Sequence, residues 1–484
     1  MYTNRHIFKI SAPIFLSLLA QNLIQVIDTA FLGRVGEIEL GASALAGVIY
    51  IAIYTLGFGF SMGSQILIGR RNGEKNYSKI GDIVIQGSLF LLIPAIILIP
   101  LLRYGAVNWI PAMFESADVA GAVTDYLEWR VFGLIFAFVN LMFRAFYIGI
   151  ARTKVLTINA VVMAVVNIIF DYGLIFGNLG MPEMGIAGAA IASVIAEFSS
   201  TVFFLIYTRK TVDLLKYGFN KIRFQWVVIK KTLDISIFMM AQYLFSISTW
   251  FLFFMLIENH MGERPLAVTN IVRSFYTIFT IPSHAIGSST STLVSNTIGA
   301  GRTHEVQGLI KRLSVISLGV MLIVISILLA FPKLMIKIYT DNPSLVSDTV
   351  VPLYVMISSL PIYSLGSVLF SAVSGTGNTR TALKFEIITL VFYVTYMWFI
   401  IVYMKASVAA AWTTEHIYWF LLMTLSFFYL KNGKRERFSK NYSYLYHLKT
   451  RQIYEVCTSV VNTLFSRFNP SSGLYVEAWV RLFF

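Results

Sequence analysis

Four residues of this chain have the types and spacing to hold a cation inside a membrane. Asp28 lies in the first long apolar run, within QNLIQVIDTAFLG (21–33). Asn167 and Asp171 are four residues apart in NIIFDYGLIFGNLG, the spacing of one helix face. Ser193 follows in GIAGAAIAS, a run of small residues that permits close helix packing. Two carboxylates, an amide oxygen and a hydroxyl make an all-oxygen set for a hard cation. Without a metal, two close carboxylates would share a proton and titrate as a unit. The same group therefore suits sodium or a proton, and the spacing does not choose between them. A carboxylate at a bilayer centre costs roughly 2.5–3.5 kcal/mol, so an acid there is a functional candidate by default.

Asp28 also has polar company. Ser17, Gln21, Gln25 and Asp28 recur at intervals of four, four and three, which is one stripe of a helix. Such a stripe is expected to face the bundle interior rather than lipid.

The elements that must position these residues are membrane helices. The chain has 484 residues, 57% hydrophobic and only 13% charged, with mean hydropathy +0.72. A soluble domain is about half apolar and about a quarter charged. About twelve apolar spans are expected, near 10–33, 42–69, 82–103, 126–150, 156–178, 185–208, 234–257, 266–297, 309–331, 349–375, 381–404 and 407–430. The first is read as an uncleaved span rather than a leader. The fold class is thus an all-α integral membrane protein. The single cysteine, Cys457, excludes an internal disulfide and a cysteine-based metal site.

The net charge of +14 is assigned to loops and the C-terminal tail, not to nucleic acid. GRRNGEKNYSK (69–79), the segment 209–231 with Lys216, Lys221, Arg223 and Lys230, Lys311 with Arg312, and Arg380 with Lys384 occupy alternate loops. The opposite loops carry Glu37, Glu39, Glu115, Asp118, Asp125, Glu183, Glu258 and Glu263. The positive-inside rule then places both termini in the cytoplasm. Residues 431–484 form a basic, aromatic tail, in which Ile453, Val456, Val460 and Leu464 fall at helical spacing.

Landmarks repeat at an offset of 226. Gly36 and Glu37 fall on Gly262 and Glu263, Leu40 on Leu266, Gly73 on Gly299, Gly149 on Gly375, Thr153 on Thr379 and Lys154 on Arg380. Two six-helix bundles of the same orientation follow: 1–208 and 233–430, joined by a linker at 209–232. Parallel repeats of this kind belong to transporters that rock two halves about a central site. The cation residues do not repeat: the offset puts Phe254, Tyr393, Met397 and Trp419 in their places. A coupling site is therefore expected in the N-terminal bundle. Glu197, Glu386, Glu415, Arg273 and His284 are further ionisable residues within spans, Glu386 being read as structural. No H-E-x-x-H pattern and no cysteine within a span supports an enzyme.

SAPIFLSLLAQNLIQVIDTAFLGRVGEIELGASALAG, GSQILIGRRNGEKN, FRAFYIGIARTK and the segment holding Asn167, Asp171 and Ser193 resemble the multidrug and toxic compound extrusion (MATE) family. The resemblance covers about residues 5–430 and is stronger in the N-terminal half. It implies antiport, in which inward sodium or proton flow drives export of organic, often cationic, compounds. It matches Asp28, Asn167, Asp171 and Ser193 to an N-half coupling site, with serine where relatives have threonine. It matches Pro13 to a first-span proline whose kink responds to protonation. Gln21, and with it Gln25, would line the substrate cavity. Acids that another branch of the family carries in spans seven and ten are missing from AQYLFSISTW and PIYSLGSVLF, so a C-half cation site is not expected. The resemblance further implies a plasma-membrane protein working as a monomer on small organic substrates, with no cofactor beyond the coupling ion. The alternative is a flippase of related fold for lipid-linked oligosaccharide or phospholipid, a class that lines its cavity with arginine; Arg273 is the clearest deep basic residue in the sequence.

Overall fold

The computed structural model describes residues 2–109, 114, 116–220 and 223–432. The expected tail, with Cys457 and the spaced residues 453–464, lies outside them, as do Glu115 and Lys221. Among the described residues the regular structure is helical throughout. Helices are the economical solution in lipid, because each satisfies its own backbone hydrogen bonds.

The N-terminal half runs α1 (Asn4–Val35), α2 (Glu37–Gly73), α3 (Ser78–Asn108), α4 (Ala117–Arg130), α5 (Gly133–Gly149), α6 (Lys154–Phe176) and α7 (Gly185–Thr211). The short α8 (Leu214–Tyr217) belongs to the linker. The second half runs α9 (Trp226–Met261), α10 (Glu263–Gly299), α11 (Val306–Ala330), α12 (Pro332–Ile336), α13 (Pro343–Gly375), α14 (Thr379–Trp398, extended by a π-turn, Phe399–Tyr403), α15 (Val408–Ala411) and α16 (Thr414–Asn432). Side chains start several of them: Thr3 caps α1, Ser116 caps α4 and Asn342 caps α13.

The expected repeat is present in the element limits. Both ends of α2 and α10 are 226 residues apart. So are the start of α4 and the start of α13, and the ends of α5 and α13. Two expected spans need correction: 407–430 holds α15 and most of α16, parted by a turn at Trp412–Thr413, and 126–150 is likewise divided. The stretch 126–150 is not a single helix: it holds the end of α4 and all of α5, bent by 51° at Val131–Phe132. Its counterpart α13 is unbroken, although it contains Pro352 and Pro361.

Among the described residues, nine helices, or ten units with the bent pair taken as one span, are long and apolar enough to cross a membrane. The helix α10 falls short for a physical reason. From Ala285 to Ile298 it is buried at every residue, and the run is rich in serine and threonine. It packs on protein rather than lipid, where small hydroxyl residues let helices approach.

The two halves meet along α2 and α10. Gln65 donates to the Thr292 hydroxyl (2.9 Å), to the Ser288 carbonyl (3.2 Å) and to Ser291 (3.3 Å), its own counterpart at offset 226. Ser295 donates to the Ile66 carbonyl (2.7 Å) and Asn72 to the Asn296 side chain (2.7 Å). At the end of the crossing a Cβ on Gly73 would strike the Asn296 carbonyl, and one on Gly299 would strike the Arg70 carbonyl. Arg70 and Asn296 are themselves 226 apart. Glycine is required at both places by close backbone approach.

Candidate functional site

Helix α1 packs along α6, and α6 along α7. This brings Asp28, from the outer part of α1, beside Asn167 and Asp171 on one face of α6. The Asp28 carboxyl is within side-chain interaction range of both. Asn167 is 1% and Asp171 0% exposed, so both face protein. Five of their buried polar atoms have no hydrogen-bond partner: Asp28 Oδ1, both Asp171 oxygens, and Oδ1 and Nδ2 of Asn167. Buried polar groups are ordinarily satisfied, and each failure costs roughly 1–3 kcal/mol. Four of the five atoms are acceptors. That set fits a hard cation or a proton, either of which would bridge the oxygens and remove their mutual repulsion.

The other expected members stand further off. Ser193 is half-buried on α7 and makes no hydrogen bond; the small-residue face of α7 instead packs backbone to backbone, with Gly188 against the Leu174 carbonyl. Ser17 is buried but donates to the Ile14 carbonyl (2.8 Å). Gln21 is half-buried and Gln25 exposed, and neither side chain joins Asp28. Pro13 lies inside the continuous α1. Around it α6 clips the backbone: Thr153 donates to the Ile10 carbonyl (2.8 Å) and Thr157 to the Pro13 carbonyl (3.1 Å).

An ion pair borders this group and was not foreseen from the spacing. Arg130, the last residue of α4, makes a two-pronged bond to Glu197 of α7 (2.6 and 3.0 Å). Tyr50 donates to the same carboxylate (3.1 Å), and its ring lies 3.7 Å from the guanidinium. Gly133 leaves the room: a Cβ there would strike both partners. Arg130 is also within electrostatic range of Asp28. The offset of 226 holds a clue to this cluster. Tyr50 falls on Tyr276, which donates to a different buried acid, Glu415 (2.7 Å). Arg130 and Glu197 fall on Met356 and Met423.

Two further buried acids, Glu415 and Glu386, have neutral partners. Glu415, 4% exposed, takes bonds from Tyr276, Trp419 (3.2 Å) and Tyr393 (3.4 Å). Glu386, expected to be structural beside Lys384, instead accepts from Tyr418 (2.6 Å). Arg273 stands over the Phe254 ring at 5.3 Å. It is not the only deep basic residue, since Arg130 and Arg144 lie in the body of the N-terminal half. The string Gly59-Phe60-Ser61-Met62-Gly63 has the letters of a hydrolase nucleophile elbow. It lies within α2, where Ser61 donates to the Phe58 carbonyl (2.8 Å), and has neither the strand-to-helix turn nor a histidine partner.

Comparison with known proteins agrees with this architecture. The MatE family model matches residues 13–173 and again 239–399, two segments 226 apart. A probable multidrug resistance protein NorM of Thermotoga maritima is 25% identical over 379 residues, 78% of this chain and 80% of that protein. The NorM of Bacillus subtilis is 22% identical over 348 residues, 71% and 76% of the two chains. Among solved structures, a eukaryotic MATE transporter superimposes with TM-score 0.82 at 17% identity, covering 91% of this chain and 98% of that one. A multidrug resistance MATE family transporter described as outward-facing gives 0.80 at 16% identity, covering 90% and 96%. With the repeated helices, the paired halves and the twofold family match, the chain belongs to the MATE family of multi-pass membrane transporters and is not an enzyme.

Proposed function

We propose that this protein exports organic, drug-like compounds by cation-coupled antiport, with the coupling site at Asp28, Asn167 and Asp171 and with Ser193 as an outer member. The observation that carries the reading is the group of partnerless buried oxygens between α1 and α6. A sodium ion or a proton bound there neutralises the two carboxylates. The relatives' names, multidrug resistance proteins, support the cargo class.

The cycle follows from charge and packing. In the state open to the outside, a cation enters between Asp28 and Asp171. Their repulsion falls, and α1 repacks against α6 about Pro13, where the hydroxyls of Thr153 and Thr157 hold the backbone. Repacking narrows the cargo space beside Gln21 and Gln25 and expels the cargo outward. Residues 1–208 and 233–430 act as the two rocking bodies and 209–232 as their tether. The protein sits in the plasma membrane as a single chain with both termini in the cytoplasm. A ligand drives such a cycle only through different affinities for the two states. Competition of cation and cargo for the N-terminal half supplies that difference.

The test is efflux of a fluorescent dye from proteoliposomes, with sodium and proton gradients imposed separately. One gradient is expected to drive export by the wild type, and Asp28→Asn to abolish it. Export at the wild-type rate by Asp28→Asn would sink the proposal.

A further inference from the structure

Above the seam, both halves turn polar groups toward one place. Arg144 of α5 lies 5.9 Å from the Phe58 ring of α2. Phe58 meets Tyr243 of α9 edge-on, with ring centroids 5.0 Å apart. Tyr54, one turn from Phe58, and Tyr243 are both within electrostatic range of Arg144. So is His284 of α10. Four helices, two from each half, thus contribute to one cluster. It sits just beyond the bonds of Gln65 that close the halves.

None of these four polar side chains makes a hydrogen bond or an ion pair among the described residues, and all four are half-buried. The contrast with Arg130 is direct: that guanidinium is bonded twice by Glu197. Two acids come within electrostatic range of the tyrosines, Glu197 of Tyr54 and Glu386 of Tyr243, but each is already bonded, Glu197 to Arg130 and Glu386 to Tyr418. A permanent positive charge at membrane depth with no counter-charge is costly. Its planar fork of donors matches an oxyanion. The two tyrosine hydroxyls and the imidazole add donors, and Phe58 with the tyrosine rings offers an aromatic wall.

We propose that Arg144, Tyr54, Tyr243 and His284 form a cargo subsite between the halves for an oxyanion, a carboxylate or phosphate attached to an apolar or aromatic body. The site adds an anionic class to the expected organic, often cationic, cargo. It rests on the transporter reading but not on the cation site at Asp28. Because it draws donors from both halves, it is complete only when they meet, so occupancy is linked to the rocking motion. The oxyanion has two sources, a soluble aromatic acid or a lipid headgroup.

Binding of fluorescein, an aromatic dianion, and rhodamine 6G, a cation on a similar ring system, would be followed by fluorescence anisotropy. The purified full-length protein in neutral detergent is the sample. Fluorescein is expected to bind the wild type and to lose about tenfold or more in affinity with Arg144→Gln, the loss of a bond to a charged group. Arg144→Lys should recover part of it, and Tyr243→Phe should weaken it severalfold. Rhodamine 6G binding should not move with these changes. Displacement by phosphatidylglycerol but not by benzoate would assign the oxyanion to lipid, and the reverse to a soluble acid. Equal fluorescein affinity in the wild type, Arg144→Gln and Tyr243→Phe would overturn the proposal. Tyr243→Phe removes a hydroxyl that bonds nothing, so it remains informative if Arg144→Gln fails to fold. Asp28→Asn should bind fluorescein as the wild type does, which keeps a failure here apart from a failure of ion coupling.

Discussion

Asp28, Asn167 and Asp171 are brought together by nothing more than the packing of α1 on α6. Their grouping was legible because an acid in an apolar run is costly and because i and i+4 share a helix face. Ser193 was less legible: its spacing fixes a face of α7 but not the distance from that face to Asp171. Glu197 stood out as an acid within a span, but Arg130 and the pairing escaped, because only the fold sets the two 2.6 Å apart. The repeat supplies a test of what that pair contributes. Its counterparts are Met356 and Met423, so the same environment accepts an apolar pair. Removing one partner of a buried ion pair costs about 3–5 kcal/mol, whereas replacing both is often close to neutral. Arg130→Met alone should therefore lower stability by about that amount, and Arg130→Met with Glu197→Met should recover most of it. Denaturation of the purified variants in detergent reads the difference; equal loss in the single and double variants would refute it.

At the scale of elements, each of the twelve expected stretches falls on helix, but hydropathy misjudged their ends. The bend between α4 and α5 left no mark in the apolar pattern, since Val131 and Phe132 are as apolar as their neighbours. Proline was no guide either: α13 carries two and stays straight enough to count as one helix. What the spacing did reveal was the pair of glycines at the α2–α10 crossing. Gly73 and Gly299 each face a carbonyl of the other half. Valine at either should force the helices apart at a cost of about 1–3 kcal/mol, as overpacking does. The two substitutions should be similarly damaging because the sites are related by the repeat. Melting temperature and yield of Gly73→Val and Gly299→Val would show this; a harmless Gly299→Val would mean that the crossing is looser than the contacts indicate.

For the whole molecule, the bonds between the halves cluster at one end. Ser11 to Ser289, Gln65 to Ser291, Asn72 to Asn296 and Arg70 to the Thr376 carbonyl all lie toward the loop that follows Gly73. Among the described residues, no backbone hydrogen bond crosses the seam at the opposite ends of α2 and α10, at Glu37 and Glu263. The molecule is thus closed at the basic-loop end. Alternating access requires that closure to break in every cycle. Cysteines at 72 and 296, in a background with Cys457 replaced, should form a disulfide that stops efflux, and reductant should restore it. Unchanged efflux with the disulfide formed would mean that this end never opens.

The two halves differ mechanically as well as chemically. One arm of the molecule is bent by 51°, at Val131–Phe132 beside Arg130, whose charge reaches Asp28; the matching stretch of the other arm is a single unbroken helix, Pro343–Gly375. A bend beside the proposed ion site can take up a local strain before the whole arm turns. If an ion loads there as proposed, loading and the swing of the arm become separate events in time, a latch that is set first and a lever that follows. Spin labels astride the bend should report ion addition before labels across the seam do, and simultaneous changes would show that the arm moves as one piece.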